Sequence, residues 1–152
     1  MKYLFYPIIV IAAVVAIYVY ILTVISKIYF KFDLSGIKLT ELGIGGIGKV
    51  NIKINSYIEN LNDFRINFSD LFVQLFYQNE LIATSTSVDT NKYTIPSKGK
   101  FNFIGDMNLF INTTTINIVK DIIAKKPVSV DYIVNVKVFN IAIPPIKDSF
   151  TI

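Results

Sequence analysis

Residues 4 to 25, LFYPIIVIAAVVAIYVYILTVI, form a run of 22 positions without a charge. Wound as an α-helix at about 1.5 Å per residue, the run reaches roughly 33 Å, enough to cross a hydrocarbon core of about 30 Å. Tyr3, Phe5 and Tyr6 at one end, and Tyr29 and Phe30 at the other, resemble interfacial aromatic belts. Pro7 falls in the first turn, where its missing N–H costs little. A cleaved signal peptide is the alternative, but its apolar core spans only about 7–15 residues. Here the small residues Ala12, Ala13 and Ala16 sit in mid-run, and Val24-Ile25-Ser26 is a poor cleavage site. The run is therefore read as a retained anchor in the lipid bilayer, Leu4 to Ile25, with residues 1–30 as anchor and flanks and 31–152 as one domain. Charges flanking the run nearly balance, and long domains translocate largely regardless of them. An extracytoplasmic domain is the expectation.

The anchor explains the composition. The hydrophobic fraction is 53% and the mean hydropathy +0.52, high for a soluble domain. The net charge is +4, yet Lys2, Lys27 and Lys31 beside the run supply three of the 15 basic residues, leaving 12 against 11 acidic ones. No basic run exceeds Lys125-Lys126. A nucleic-acid surface needs a concentrated positive field, so no nucleic-acid partner is expected. There is no cysteine and no histidine. That excludes disulfides, thiolate and imidazole metal sites, and the histidine-based hydrolytic triads.

Beyond the run the dominant period is two, the mark of half-buried strands. Val50, Ile52 and Ile54 alternate with Lys49, Asn51, Lys53 and Asn55. Val73, Leu75 and Tyr77 alternate with Gln74 and Gln78, and Gln78-Asn79-Glu80 predicts a hairpin turn. Phe101 and Phe103 lead to Met107, Leu109 and Ile111, with a bulge expected at Gly105. Val128, Val130, Tyr132, Val134, Val136 and Val138 form the longest alternation. Residues 112–127, NTTTINIVKDIIAKKP, instead place Ile116, Val119, Ile122 and Ile123 at helical spacing. Asn112 or Thr113 can cap this helix, Lys120, Lys125 and Lys126 suit its C-terminal dipole, and Pro127 ends it. Its apolar stripe is expected to face the core. The pattern predicts a mainly β fold, an antiparallel sandwich with one short helix near 113–125 after the N-terminal one.

One stretch invites a nucleotide. GIGGIGKV, residues 43–50, fits the spacing of the dinucleotide fingerprint, of a P-loop lacking its hydroxyl residue, and of the kinase glycine-rich loop. The first two need a helix beginning at the last glycine, so that its amides meet the phosphates; here a strand pattern begins instead. The third needs downstream Val-Ala-Ile-Lys, His-Arg-Asp and Asp-Phe-Gly motifs, which do not occur. Gly43, Gly45, Gly46 and Gly48 are read as a tight connection between strands. The 11 carboxylates are scattered singly, without metal-loop spacing. Ser97-Lys98 is read as solvated loop. The sequons at Asn67 and Asn112 are taken as accidents of an Asn-rich composition. No catalytic, cofactor-binding or metal-binding residue is assigned, no cofactor is expected, and the chain is not read as an enzyme.

The order of features carries a resemblance. A strand at Asp33 to Leu42, a glycine turn and the strand KVNIKI come first, followed by Asn60-Leu61-Asn62 and RINFSDLFVQLFYQNELIATSTS. Ile95-Pro96-Ser97-Lys98-Gly99, the strand FNFIGDMNLFI, the helix and VSVDYIVNVKV complete the series. Over about residues 33 to 150 this resembles the LEA14-like family, the late embryogenesis abundant type 2 proteins with the water-stress and hypersensitive-response domain. Leu61 stands where that pattern has proline, and Asn79-Glu80 where it has the hairpin glycine. The resemblance implies an immunoglobulin-like or fibronectin-like sandwich and a non-enzymatic protective role under water or osmotic stress. Two other roles stand beside it: a structural adaptor of an envelope complex or membrane-containing virion, and a carrier of an apolar ligand between the sheets.

Overall fold

The computed structural model describes the backbone of residues 5–33, 43–44 and 49–152, and their side chains except those of 5–9, 32–33, 43–44, 49–52 and 123. The chain opens with helix α1 (Phe5–Ile25) and continues directly into β1 (Ile28–Asp33). Next come β2 (Gly43–Ile44), β3 (Lys49–Asn60), β4 (Ile66–Tyr77), β5 (Glu80–Ser85), β6 (Tyr93–Ile95) and β7 (Lys100–Phe110). Helix α2 (Thr113–Ile123) precedes β8 (Ser129–Val138), β9 (Ile141–Ala142) and β10 (Ile146–Thr151). Among the described residues, which for α1 include the side chains only from Val10 to Ile25, no helix is long and apolar enough to cross a membrane.

Among the described residues all strand pairs are antiparallel, in the order β1-β3-β7-β5-β4-β8-β10, with β2 on β3, β6 on β4 and β9 on β8. The sheet folds back on itself about β5. Ala83 and Thr84 pair with Leu75 and Gln74 on one side and with Leu109 and Asn108 on the other. The ends of the path then meet across a common core: the Tyr132 hydroxyl on β8 donates to the Phe30 carbonyl on β1 at 2.6 Å, and their rings lie 5.8 Å apart. The result is a sandwich-like, mainly antiparallel β fold with two helices.

The alternation in β8 is met in full. Val128, Val130, Tyr132, Val134, Val136 and Val138 are all buried, and Asp131 and Lys137 face out. The predicted hairpin is also present, as a two-residue turn with Tyr77 opposite Glu80. Gln78 and Asn79 both have positive φ, 50° and 66°, the geometry that matches strand twist in a two-residue hairpin. Phe139 and Asn140 repeat it between β8 and β9.

Four expectations need correction. Gly105 is not a bulge: β7 runs against β3 in unbroken register, with Gly105 opposite Ile54, because Phe101, Phe103 and Met107 are already in phase. The bulge lies in β4, where Asp70 has φ 56° and the register to β8 shifts between Ser69 and Phe72. Ile66 and Phe68 point inward before it, and Leu71, Val73 and Leu75 after it. Ile111 does not continue the β7 core row; it lies beyond the strand and is exposed. Phe30 belongs to no interfacial belt, being 2% exposed in the core.

The fourth correction concerns α2. Asn112 caps it, its side chain accepting from the Thr115 amide while the Thr115 hydroxyl accepts from the Asn112 N–H. That hydroxyl also donates to the Phe110 carbonyl at 2.8 Å, which turns Thr115 and Ile118 inward. Ile116, Val119 and Ile122 are consequently exposed, at 48%, 51% and 40%. Ile123 lies outside the described side chains.

This core has two measurable consequences. Val134 has no exposure, so Val134→Asp should destabilise the fold by about 3–5 kcal/mol in a denaturant melt of the full chain in micelles; an unchanged midpoint would show that this face is not core. Burial, reinforced by the Asp148 carboxylate, pushes the Tyr132 phenol far above the usual tyrosine range. A raised folded value means that the unfolded chain loses this proton first, so stability should fall as pH rises above about 10. Melting temperature measured against pH should decline less steeply in Tyr132→Phe.

Candidate functional site

The sequence elements that carry the family resemblance meet at one end of the sheet. Here β1 starts, β3 ends and β7 starts, with Ile28 opposite Asn60 and Lys100 opposite Glu59. Asn60 ends the inward row of β3 after Ile54, Ser56 and Ile58, and has no exposure. Its amide nitrogen donates to the carbonyls of Phe64 (2.8 Å) and Pro96 (3.0 Å). Its amide oxygen accepts from the Asn62 backbone N–H (2.9 Å) and side-chain amide (3.0 Å). The Asn62 side chain, 3% exposed, also donates to the Val24 carbonyl of α1 at 3.2 Å. Such bonds are what allows polar side chains to be buried at all.

The Ile95–Gly99 turn closes this joint from the other side. The Gly99 carbonyl accepts from the Asn60 N–H, and the Lys98 N–H donates to the Asn62 carbonyl. At Gly99 the space is tight: a Cβ there would stand 3.0 Å from the Pro96 Cβ, so the turn would have to give by a few tenths of an ångström. Ser97 and Lys98 are exposed in this turn, as the loop reading has them, and they also bond to the β3–β4 connection. The Ser97 hydroxyl donates to the Asn62 carbonyl (3.3 Å), and the Lys98 ammonium donates to the Leu61 carbonyl (2.7 Å) and pairs with Asp63 (3.0 Å). Hydrogen bonding to Lys98, then its charge, holds the Asp63 carboxyl below its usual range. This contribution is present at neutral pH and disappears as pH falls through that lowered value. Asp63 is fully solvated, so it is small.

A second feature is a side opening between the β4 and β7 halves of the sheet, a cleft of about 390 Å³. Ser56, Ser85 and Thr86 line it together with Leu71, Met107 and Asp89. The Asp89 carboxylate accepts from the Tyr93 hydroxyl (2.7 Å) and the Asn91 N–H (3.0 Å), and the first of these bonds raises the phenol above its ordinary range. The cleft offers hydroxyls and a carboxylate for hydrogen bonding. Between the sheets, by contrast, the cavity lined by Phe30, Phe68 and Val134 holds only ≈ 10 Å³.

Of the glycine stretch, Gly43 and Ile44 pair antiparallel with Asn51 and Val50. Gly45, Gly46 and Gly48 lie outside the described residues, as does the predicted strand beyond Asp33. Lys49 begins the strand β3, where the dinucleotide and P-loop readings would need a helix. Among the described residues no three metal-ligating side chains cluster.

The joint is open to a direct test. Asn60→Ala removes a side chain that uses both donors and both acceptor positions, stranding its buried partners. It should cost about 3 kcal/mol or more in a urea melt. Thr94→Ala, which removes an exposed bond to Asn67, should stay within about 0.5 kcal/mol. Equal effects would show that the joint carries no special weight.

No family model matches the chain, and no curated protein matches it in sequence. Among solved structures it is similar to a protein from Archaeoglobus fulgidus (8% identity, 82% of this chain and 93% of that one, TM-score 0.43). It is also similar to the GAE domain of GGA2p from Saccharomyces cerevisiae (13%, 83% and 86%, TM-score 0.33). A beta-glucuronidase from glycoside hydrolase family 2 matches over 11% of its own length (14% identity, 81% of this chain, TM-score 0.40). At these scores the likenesses carry no argument about activity.

Proposed function

We propose that the chain is a membrane-tethered, non-enzymatic β-sandwich of LEA14-like type, immunoglobulin-like or fibronectin-like in its layering. In this reading it protects neighbouring proteins or lipids under water or osmotic stress, with its domain outside the cytoplasm. The observation that carries the reading is the joint. Asn60-Leu61-Asn62 and Ile95–Gly99, two of the turns in that resemblance, form one hydrogen-bonded unit around the buried Asn60 and Asn62 that also takes the end of α1. Anchoring is supported by α1 itself. It is 21 residues long without a charge, and its described side chains from Val10 to Tyr20 are exposed all round. That apolar surface is unfavourable in water and favourable in hydrocarbon.

A specific observation favours the adaptor reading as the second. The outward apolar face of α2, Ile116, Val119 and Ile122, suits contact with another protein. The carrier reading finds only ≈ 10 Å³ in the core between Phe30, Phe68 and Val134, against about 300–1,000 Å³ for small-ligand pockets, and its support is the side cleft of about 390 Å³.

Full-length chain should remain in the membrane pellet after carbonate extraction; recovery in the supernatant would remove the anchor. In nanodiscs, it should reduce aggregation of a labile client through drying or freeze–thaw, without nucleotide or metal. A globular protein at equal mass controls for excluded volume. Protection no better than that control, with the chain recovered in one complex of fixed stoichiometry, would transfer the assignment to the adaptor.

A further inference from the structure

The connection between β3 and β4, residues 61–65, does not stand clear of α1 but lies beside its last turns. The Leu61 N–H donates to the Lys27 carbonyl at 2.9 Å, and the Asn62 amide reaches the Val24 carbonyl. The Phe64 ring stacks on Tyr20, with centroids 6.5 Å apart and planes 18° apart. Tyr20 precedes the helix end at Ile25 by five residues, about 7.5 Å along the axis. The loop thus descends along the helix towards its N-terminus.

We propose that residues 61–65 form a second membrane contact, seated at the boundary of headgroups and acyl chains in the leaflet from which α1 emerges. This rests on the reading of α1 as a bilayer anchor. A 21-residue helix is about 32 Å long, close to the hydrocarbon thickness. With so little length to spare, Tyr20 lies within about 7.5 Å of one hydrocarbon edge, and the Phe64 ring lies at that shallow depth beside it. The side chains suit that depth. Leu61 is 39% exposed and Phe64 half-buried, while Lys27 and Arg65 are exposed. Lys98 already neutralises Asp63, the acidic group of the loop. Aromatic and aliphatic groups flanked by cations are the pattern of an interfacial contact, with rings at the boundary and cations among phosphates. The partner is therefore the lipid surface itself, and the domain is held by two points, not one.

The chain contains no tryptophan, so single-tryptophan variants of the full chain report depth without background. Phe64→Trp, reconstituted in phosphatidylcholine vesicles, should emit to the blue of free tryptophan. Lipid brominated near the glycerol end of its acyl chains should quench it more than lipid brominated near the methyl end. Val15→Trp, mid-way along α1, should show the opposite preference. Ile116→Trp on α2, at the other end of β7, should not be quenched. Leu61→Trp repeats the test should Phe64→Trp misfold. Quenching of Val15→Trp with neither loop reporter quenched would overturn the second contact and leave the anchor intact. Absence of quenching at all positions would overturn both.

Discussion

Everything at the helix end of the fold depends on one buried amide. Asn60 stands at the last inward position of β3, where alternation would otherwise place an aliphatic side chain. Burying it without partners would cost several kcal/mol in an apolar setting. The structure meets that cost by bringing the chain to the amide. Carbonyls of Phe64 and Pro96 and both nitrogens of Asn62 converge on it. Because two of these partners belong to the β3–β4 connection and one to a turn 36 residues away, satisfying one side chain positions three segments. Asn62 extends the network to α1. Direction comes from these hydrogen bonds; the cohesion comes from the aliphatic rows above them.

Those rows set a different constraint. One continuous sheet must cover two faces of a single core, so somewhere a strand must belong to both layers. β5 does this with six residues, pairing through Ala83 and Thr84 on both edges. Ala83 is fully buried, and its small side chain suits the place where two layers converge. The aromatic rings of Phe30, Phe103 and Tyr132 fill the space between the facing layers, leaving little free volume. The side cleft arises where β5 has ended and β6 has not begun, so that this edge of β4 is held by the bridge from Leu71 to Asp89 and by the Ser85 hydroxyl on Val73.

How much of this could be read from the sequence depended on the range of the forces involved. β8 was legible because each of its inward residues is apolar and each neighbour is polar or half-buried, so period and register agree. The α2 cap was legible for a similar local reason, since Asn112 and Thr115 act within one turn. The rotation of α2 was not. It is decided by a bond from Thr115 to Phe110, and both faces of the helix carry isoleucine. The β4 bulge was hidden because Phe72 and Phe76 lie on one phase and Val73 and Leu75 on the other, so a shift by one residue leaves the pattern plausible. Asn60, Asn62 and the Ile95–Gly99 turn could be recognised as motifs, but their meeting is a tertiary fact. Tyr132 and Phe30 are 102 residues apart, beyond any pattern in a single sequence. The side cleft had no sequence signal at all, for it is made by where strands stop.

The joint also fixes the end of α1 against the sheet. Only Ser26 and Lys27 separate α1 from β1, and neither is a loose link. Ser26 bonds back to Leu22 and Thr23, and the Lys27 carbonyl accepts from Leu61. Val24 of the helix and Ile28 of the strand are both buried in the common core. A hinge needs residues able to change φ and ψ without breaking contacts, and none of these four can do so cheaply. The end of α1 is therefore bonded and packed into the sheet at this junction. With 11 residues in β7, the start of α2 is held about 35 Å beyond the joint. A tether that let the domain swing would suit a shield that meets clients at random. A rigid mount that presents Ile116 and Val119 at a set distance suits repeated contact with one surface. This is the physical ground on which the adaptor reading competes with the protective one.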